Sequence, residues 1–252
     1  GQHAAEYGDV GGPLGGAMGL VLLVLRVGVY ESGMYRQLAT RGGAVKRGDL
    51  LSLFTRRGRA VRYLCLILVG IPIWYAVGIL VAFSPEIGLA LGMSEAPAPP
   101  QAVMFTYIGL AAGDLSSGLL SQRLRSRKRA LRLILALTAV AVVLYFTVAT
   151  HSRATFYLGC AFLGFATGYW AVFVTVASEQ FGTNLRATAT TTAPNFVRGA
   201  VWPMAAFFQW GKGELGVVGS AAVLGAFVLL VAFIALRGLD ETYGKDLDFL
   251  ET

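Results

Sequence analysis

Seven long apolar stretches, at 14–30, 61–83, 101–121, 131–150, 155–178, 190–210 and 216–237, leave this chain few ways to fold. Each is long enough to cross roughly 30 Å of hydrocarbon at ~1.5 Å rise per residue, the first only barely. None alternates with the two-residue period of a strand, so helices rather than a barrel must satisfy the backbone in lipid. Of the 252 residues 56% are hydrophobic and 14% charged, which leaves too little polar surface for a soluble domain of this size. The expected fold class is an all-α polytopic membrane protein. The 32 glycines fit it, because small residues let helices in lipid approach closely and bend.

The net charge of +7 would raise the question of nucleic acid in a soluble chain. Here the positive charge sits between the spans, and nucleic acid is not an expected partner. If the spans alternate in direction, all of the 21 Lys and Arg except Arg26, Arg153 and Lys212 fall on one side. They crowd the loop after the first stretch (Arg36 to Arg62), the connection Arg123–Arg132, Arg186 and Arg198, and the tail with Arg237 and Lys245. The opposite segment 84–100 has four prolines and no Lys or Arg. The positive-inside rule then predicts an outside N-terminus and a cytoplasmic loop and tail, in the plasma (cell inner) membrane. Residues 1–13 lack the basic n-region of a signal peptide. An outside start followed at once by a spanning helix leads us to expect further helices before Gly1.

Several chemistries find no support. Cys65 and Cys160 lie inside apolar stretches and belong to no metal-ligand spacing, so they read as reduced packing residues. His3 and His151 are far apart and outside the spans, no catalytic triad is discernible, and no P-loop is present. An enzyme, a metal and a cofactor are not expected.

Four segments share a pattern at one membrane face. The first stretch is followed by V-Y-E-S-G-M-Y (29–35), and the third by G-D-L-S-S-G-L-L-S-Q-R-L-R-S-R-K (113–128). The fifth ends in E-Q-F-G-T-N-L-R-A-T (179–188), and the tail reads L-D-E-T-Y-G-K-D-L (239–247). In order and spacing these resemble the boundary motifs of the major facilitator superfamily, in particular its sugar-porter branch and the metabolite–proton relatives. Gln122 stands where the family loop has an acid, Arg125 where it has glycine, and Gly182 where it has proline. The resemblance covers nearly the whole chain, from the sixth helix of that fold to its C-terminus. It implies one truncated N-half helix (1–35, spanning at 14–30), a cytoplasmic basic linker (36–60), and a six-helix C-terminal bundle (61–237) of two inverted three-helix repeats. A cytoplasmic tail (238–252) follows. It also implies a gate in which Glu179 meets Arg127 or Lys128, and Glu241 meets Arg186, in the outward-facing state.

Charged groups within spans are functional candidates because burying them is costly. Arg26 lies near a helix end and is expected to snorkel. Asp114 and Arg198 lie about eight residues from the basic side, roughly 12 Å deep, and read as a structural or gating ion pair or as a proton-coupling site. Asn195 is one turn before Arg198. The sequences G-I-P-I-W-Y (70–75) and G-F-A-T-G-Y-W (164–170) each set an aromatic pair beside Gly or Pro at middle depth, and transporter substrates often bind beside interrupted helices there. Trp74, Tyr75, Tyr169, Trp170 and Asn195 are therefore the candidate substrate residues. The function this implies is proton-coupled transport of a small polar metabolite, a sugar or organic acid, by alternating access. The partners are that solute, protons, the lipid bilayer and a missing N-terminal half. The rival is a non-transporting scaffold or receptor-like relative.

Overall fold

The computed structural model describes residues 20–21, 49–147, 152–246 and 249–251. The chain forms two compact units, Gly1–Ala44 and Val45–Thr252. In the first unit the described residues are Leu20 and Val21, both helical and exposed. The remainder of the 14–30 stretch, Arg26, the 29–35 motif and the linker before Asp49 lie outside the described residues. All that follows concerns the second unit.

After a 3-10 turn at Leu51–Leu53, helix α1 (Arg57–Tyr75) continues as a π-helical segment, Ala76–Val81. Pro72 lies inside α1 and has no N–H to donate, and the helix widens just beyond it, with the Ala82 N–H reaching the Val77 carbonyl at 3.2 Å. The proline-rich segment 84–100, expected as loop, holds a short helix α2 (Ser84–Ala90), with Pro85 in its first turn, where no N–H is needed. Helix α3 (Pro99–Leu124) starts on two prolines and stops at Arg125, which is left-handed (φ 48°). Ser126 caps α4 (Arg127–Thr147), its hydroxyl accepting from the Arg129 N–H at 3.1 Å. The fifth apolar stretch is two helices, α5 (Arg153–Thr167) and α6 (Trp170–Glu179), interrupted at Gly168 and Tyr169. Helices α7 (Thr183–Gly199) and α8 (Val201–Arg237) complete the unit.

Among the described residues there are no strands, and five helical runs are long and apolar enough to cross a membrane. The chain is a multi-pass membrane protein on those grounds. The last run, Thr183–Arg237, has 55 residues. It folds back at Gly216, whose φ of 70° and ψ of 173° are non-helical. The Ser220 hydroxyl donates to the Phe208 carbonyl at 2.9 Å, although 12 residues of straight helix would separate them by about 18 Å. This run therefore supplies two passes, and the six apolar stretches from 61 onward correspond to six passes. Their bounds differ most at α7, which begins at Thr183 rather than near 190. Thr183 to Thr192 is too polar to register as apolar, but its threonine hydroxyls bond back to carbonyls one turn earlier, as in Thr190 to Arg186 and Thr192 to Thr188.

Candidate functional site

The site is positioned by glycines. Gly109 and Gly113 on α3 face Gly164 and Gly168 at the end of α5, each pair four residues apart, the small-residue spacing that lets helices touch. A methyl on Gly109 would lie 1.8 Å from the Ala161 carbonyl oxygen, and one on Gly164 2.0 Å from that of Thr106. Backbone contact at Gly113 and Gly168 sets the next residue of α3, Asp114, against the start of α6. Its Oδ1 accepts from the Ala171 N–H at 3.1 Å, with the Trp170 N–H also contributing. The carboxylate thus satisfies donors that the helix interruption leaves bare and faces the positive end of the α6 dipole.

Asp114 and Arg198 do not form the expected ion pair. The Arg198 guanidinium lies 5.5 Å from the ring centre of Trp170 and 5.9 Å from that of Trp74. The two indoles meet edge to face at 6.5 Å. The hydrogen bond from Arg198 to Asn195 Oδ1 is long, 3.5 Å. Because α7 starts early, Arg198 is 15 residues from Thr183, or ~22 Å, against the ~12 Å expected. Trp170 is ~14 Å from the end of α6, and Trp74 ~18 Å beyond Arg62, which bonds the Gln180 carbonyl at that same end. The cluster sits near mid-depth. A guanidinium there costs on the order of 3 kcal/mol to insert, and two cation–π contacts offset about 1–2 kcal/mol each at most.

Of the candidate substrate residues, Trp74, Trp170 and Asn195 belong to this cluster, whereas Tyr75 and Tyr169 point into the bundle. Both tyrosines are 0% exposed, and their hydroxyls donate to the carbonyls of Ala221 and Val69 at 2.7 and 2.8 Å. They buttress helices. Thr191, Asn195, Arg198 and Trp202 line one exposed face of the α7–α8 run. An open hollow of about 520 Å³ beside it is lined by Thr192, Phe196 and Gly199 and meets this face at Asn195. A second, of about 480 Å³, runs between α3 and α6 from Asp114 to Gln122 and Arg127.

That second hollow leads to a charge network at the basic end. Arg127 holds Glu179 with two bonds, Nη2 to Oε1 at 3.0 Å and Nε to Oε2 at 3.2 Å, and its Nη1 reaches Ser121 at 2.8 Å. Both side chains are nearly enclosed (13% and 11% exposed), and Thr242 donates to Glu179 at 2.6 Å. Glu241 is not positioned against Arg186. Its carboxylate accepts from the N–H groups of Arg127 (2.8 Å) and Lys128 (3.3 Å) and from the Ser126 hydroxyl, because the tail crosses the start of α4. Burial acts to raise its pKa, but the bonds from Ser126, Tyr243, Arg127 and Lys128 outweigh it and hold the carboxyl below its ordinary value. Arg186 Nε donates to the Ser178 carbonyl at 2.8 Å, and Lys128 Nζ to the Leu239 carbonyl. The Tyr243 ring lies under the Arg127 guanidinium, and its hydroxyl donates to Gln122 at 3.3 Å.

Sequence reasoning missed how far the tail reaches. Arg62 on α1 pairs with Glu251 at 3.0 Å, Asn184 exchanges two bonds with the Glu251 backbone, and Gln180 donates to the Asp240 carbonyl at 2.7 Å. Thr242 stands within the tail motif and was accessible to inspection, but most of the other contacts end on backbone atoms, which carry no residue signature. No family model matches the chain, and no curated protein matches it.

Proposed function

We propose that this chain is the C-terminal part of a major-facilitator-type secondary transporter that moves a small polar metabolite by alternating access, coupled to protons. The observation that carries the reading is the interrupted helix at Gly168–Tyr169, with Asp114 on its bare N–H groups and Arg198 over Trp170 beside it. Transporters build their substrate sites at mid-depth from discontinuous helices of this kind, with charges aimed at helix ends. In this reading the passes in α1, α3 and α4 form one three-helix repeat and those from α5 to Arg237 its inverted counterpart. The basic end faces the cytoplasm, and the Arg127–Glu179–Thr242 network, with Glu241 on α4, holds the cytoplasmic ends together in one of the two states. Three of the four boundary motifs, 113–128, 179–188 and 239–247, supply these residues in order. Gln122 is the one departure within the network, and its bond to Tyr243 takes the place of an acid.

The test is uptake of radiolabelled sugars and organic acids by cells expressing the protein, with and without a protonophore. Saturable uptake that collapses with the gradient, and falls at least tenfold in Glu179→Gln while membrane insertion is unchanged, supports the reading. No gradient-dependent uptake, together with unchanged thiol labelling of Thr175→Cys in the α3–α6 hollow when Glu179 is neutralised, would favour a non-transporting scaffold.

A further inference from the structure

We infer that Arg198, with Trp74, Trp170 and Asn195, is the anchor of a binding site for a small monocarboxylate with an apolar body; this deepens the transport reading and rests on it. Among the described residues Arg198 belongs to none of the ion pairs, whereas Arg62, Arg127, Arg153 and Lys212 each have a glutamate. The cations paired in this way lie toward the bundle ends, and Arg198 lies at mid-depth, where an unpaired guanidinium is least tolerable. Asp114, at the start of α6 beside Trp170, is committed to the N–H groups of that helix. Asn195 is too distant, at 3.5 Å, to be a strong partner and brings no charge. An anionic ligand completes this site.

The chemistry narrows the class. A guanidinium presents a planar fork that matches a carboxylate with two parallel bonds. One cation with a carboxylate next door suits a single negative charge and disfavours a phosphate ester, which would bring nearly two. The walls beside it are the faces and edges of two indoles, which suit a flat or aliphatic body better than a polyhydroxylated one. The enclosed Trp74 Nε1 has no acceptor, so the same cluster holds a second unsatisfied donor. A hollow of about 520 Å³ lies beside the cluster, lined by Thr192, Phe196 and Gly199, and shares Asn195 with it.

The experiment is isothermal titration of the purified chain in lipid nanodiscs with butyrate, benzoate and phenylacetate, each against its neutral amide. The expected result is saturable binding of at least one carboxylate, at least tenfold tighter than its amide. Arg198→Gln should lose that preference and Arg198→Lys keep part of it. Asn195→Asp keeps the arginine but sets an internal carboxylate beside it, and should weaken carboxylate binding at least tenfold in a chain that stays folded. The inference is overturned if no carboxylate is preferred over its amide, or if Arg198→Gln and Asn195→Asp both bind as the parent does. Carboxylate preference without gradient-driven uptake removes the transport reading and leaves the anion site standing. Uptake of a neutral sugar unaffected by Arg198→Gln does the reverse.

Discussion

Glu179 and Arg127 show what a single residue contributes at the basic end. The pair is nearly out of water and each partner has further bonds, Thr242 on one side and Ser121 on the other. Removing one charge leaves the other desolvated and uncompensated, which typically costs about 3 kcal/mol or more. Glu179→Gln should therefore lower thermal stability in detergent measurably, and adding Arg127→Met to it should recover part of the loss. A double variant less stable than the sum of the singles would contradict the pair. Glu241 differs because it is exposed and acts through hydrogen bonds to the start of α4. Its folded pKa is held below the ordinary value, so its ionised form stabilises the docked tail. That contribution is complete above the ordinary glutamate pKa of about 4.3 and is lost as pH falls below it through the depressed folded value. Proteolysis of the tail near Lys245 should stay constant from neutral to weakly acid pH, rise below that window, and lose its pH dependence in Glu241→Gln. A rise between neutrality and pH 6 would assign the docking to another group.

At the scale of elements, two joints decide the geometry. The α3–α4 joint turns on Arg125, a residue in the left-handed region that favours glycine. A side chain in that conformation costs about 1–2 kcal/mol, and glycine gives back some of this in chain entropy, so Arg125→Gly should stabilise by about 0.5–1 kcal/mol. Denaturation midpoints test it; a loss of stability would mean that the arginine side chain matters more than its backbone. The α3–α5 joint is backbone on backbone. Gly164→Ala must push a methyl into the Thr106 carbonyl, and strain of about 3 kcal/mol is expected, with separation of the helices. Because Gly168 touches the backbone at Asp114, the same substitution should also loosen the cap on α6. Faster hydrogen exchange at the Ala171 amide would report it, and unchanged exchange would separate the packing from the cap.

For the whole molecule the distribution of charge predicts orientation. The basic residues gather at the end with Arg62, Arg127 and Lys128, whereas at the other end Arg153 meets Glu95 and Lys212 meets Glu86, which cancels those cations locally. In cells, Ser94→Cys should react with a membrane-impermeant thiol reagent from outside, and the exposed Thr55→Cys only after the membrane is opened. The native thiols interfere little, since Cys160 is buried and Cys65 is half-buried within a span. Labelling in the opposite order would invert the topology and place the Arg127–Glu179 network outside.

The number of passes after residue 60, their helical character and the basic end were legible in the sequence, because hydropathy and charge are sums over neighbouring residues. So was the contact between Glu179 and Arg127, which their spaced motifs led us to expect. The start of α7 was not, because threonines that satisfy their hydroxyls within the helix look polar in a local sum. Nor was the partner of Asp114, which is a backbone N–H exposed by a helix interruption 57 residues away. Trp74 and Trp170 could be picked as members of aromatic pairs beside Gly or Pro, yet nothing local told them from Tyr75 and Tyr169, which turn inward. Which way each faces follows from the rotation of its helix about its own axis. That rotation is set by glycine contacts between helices, and only the assembled bundle decides it.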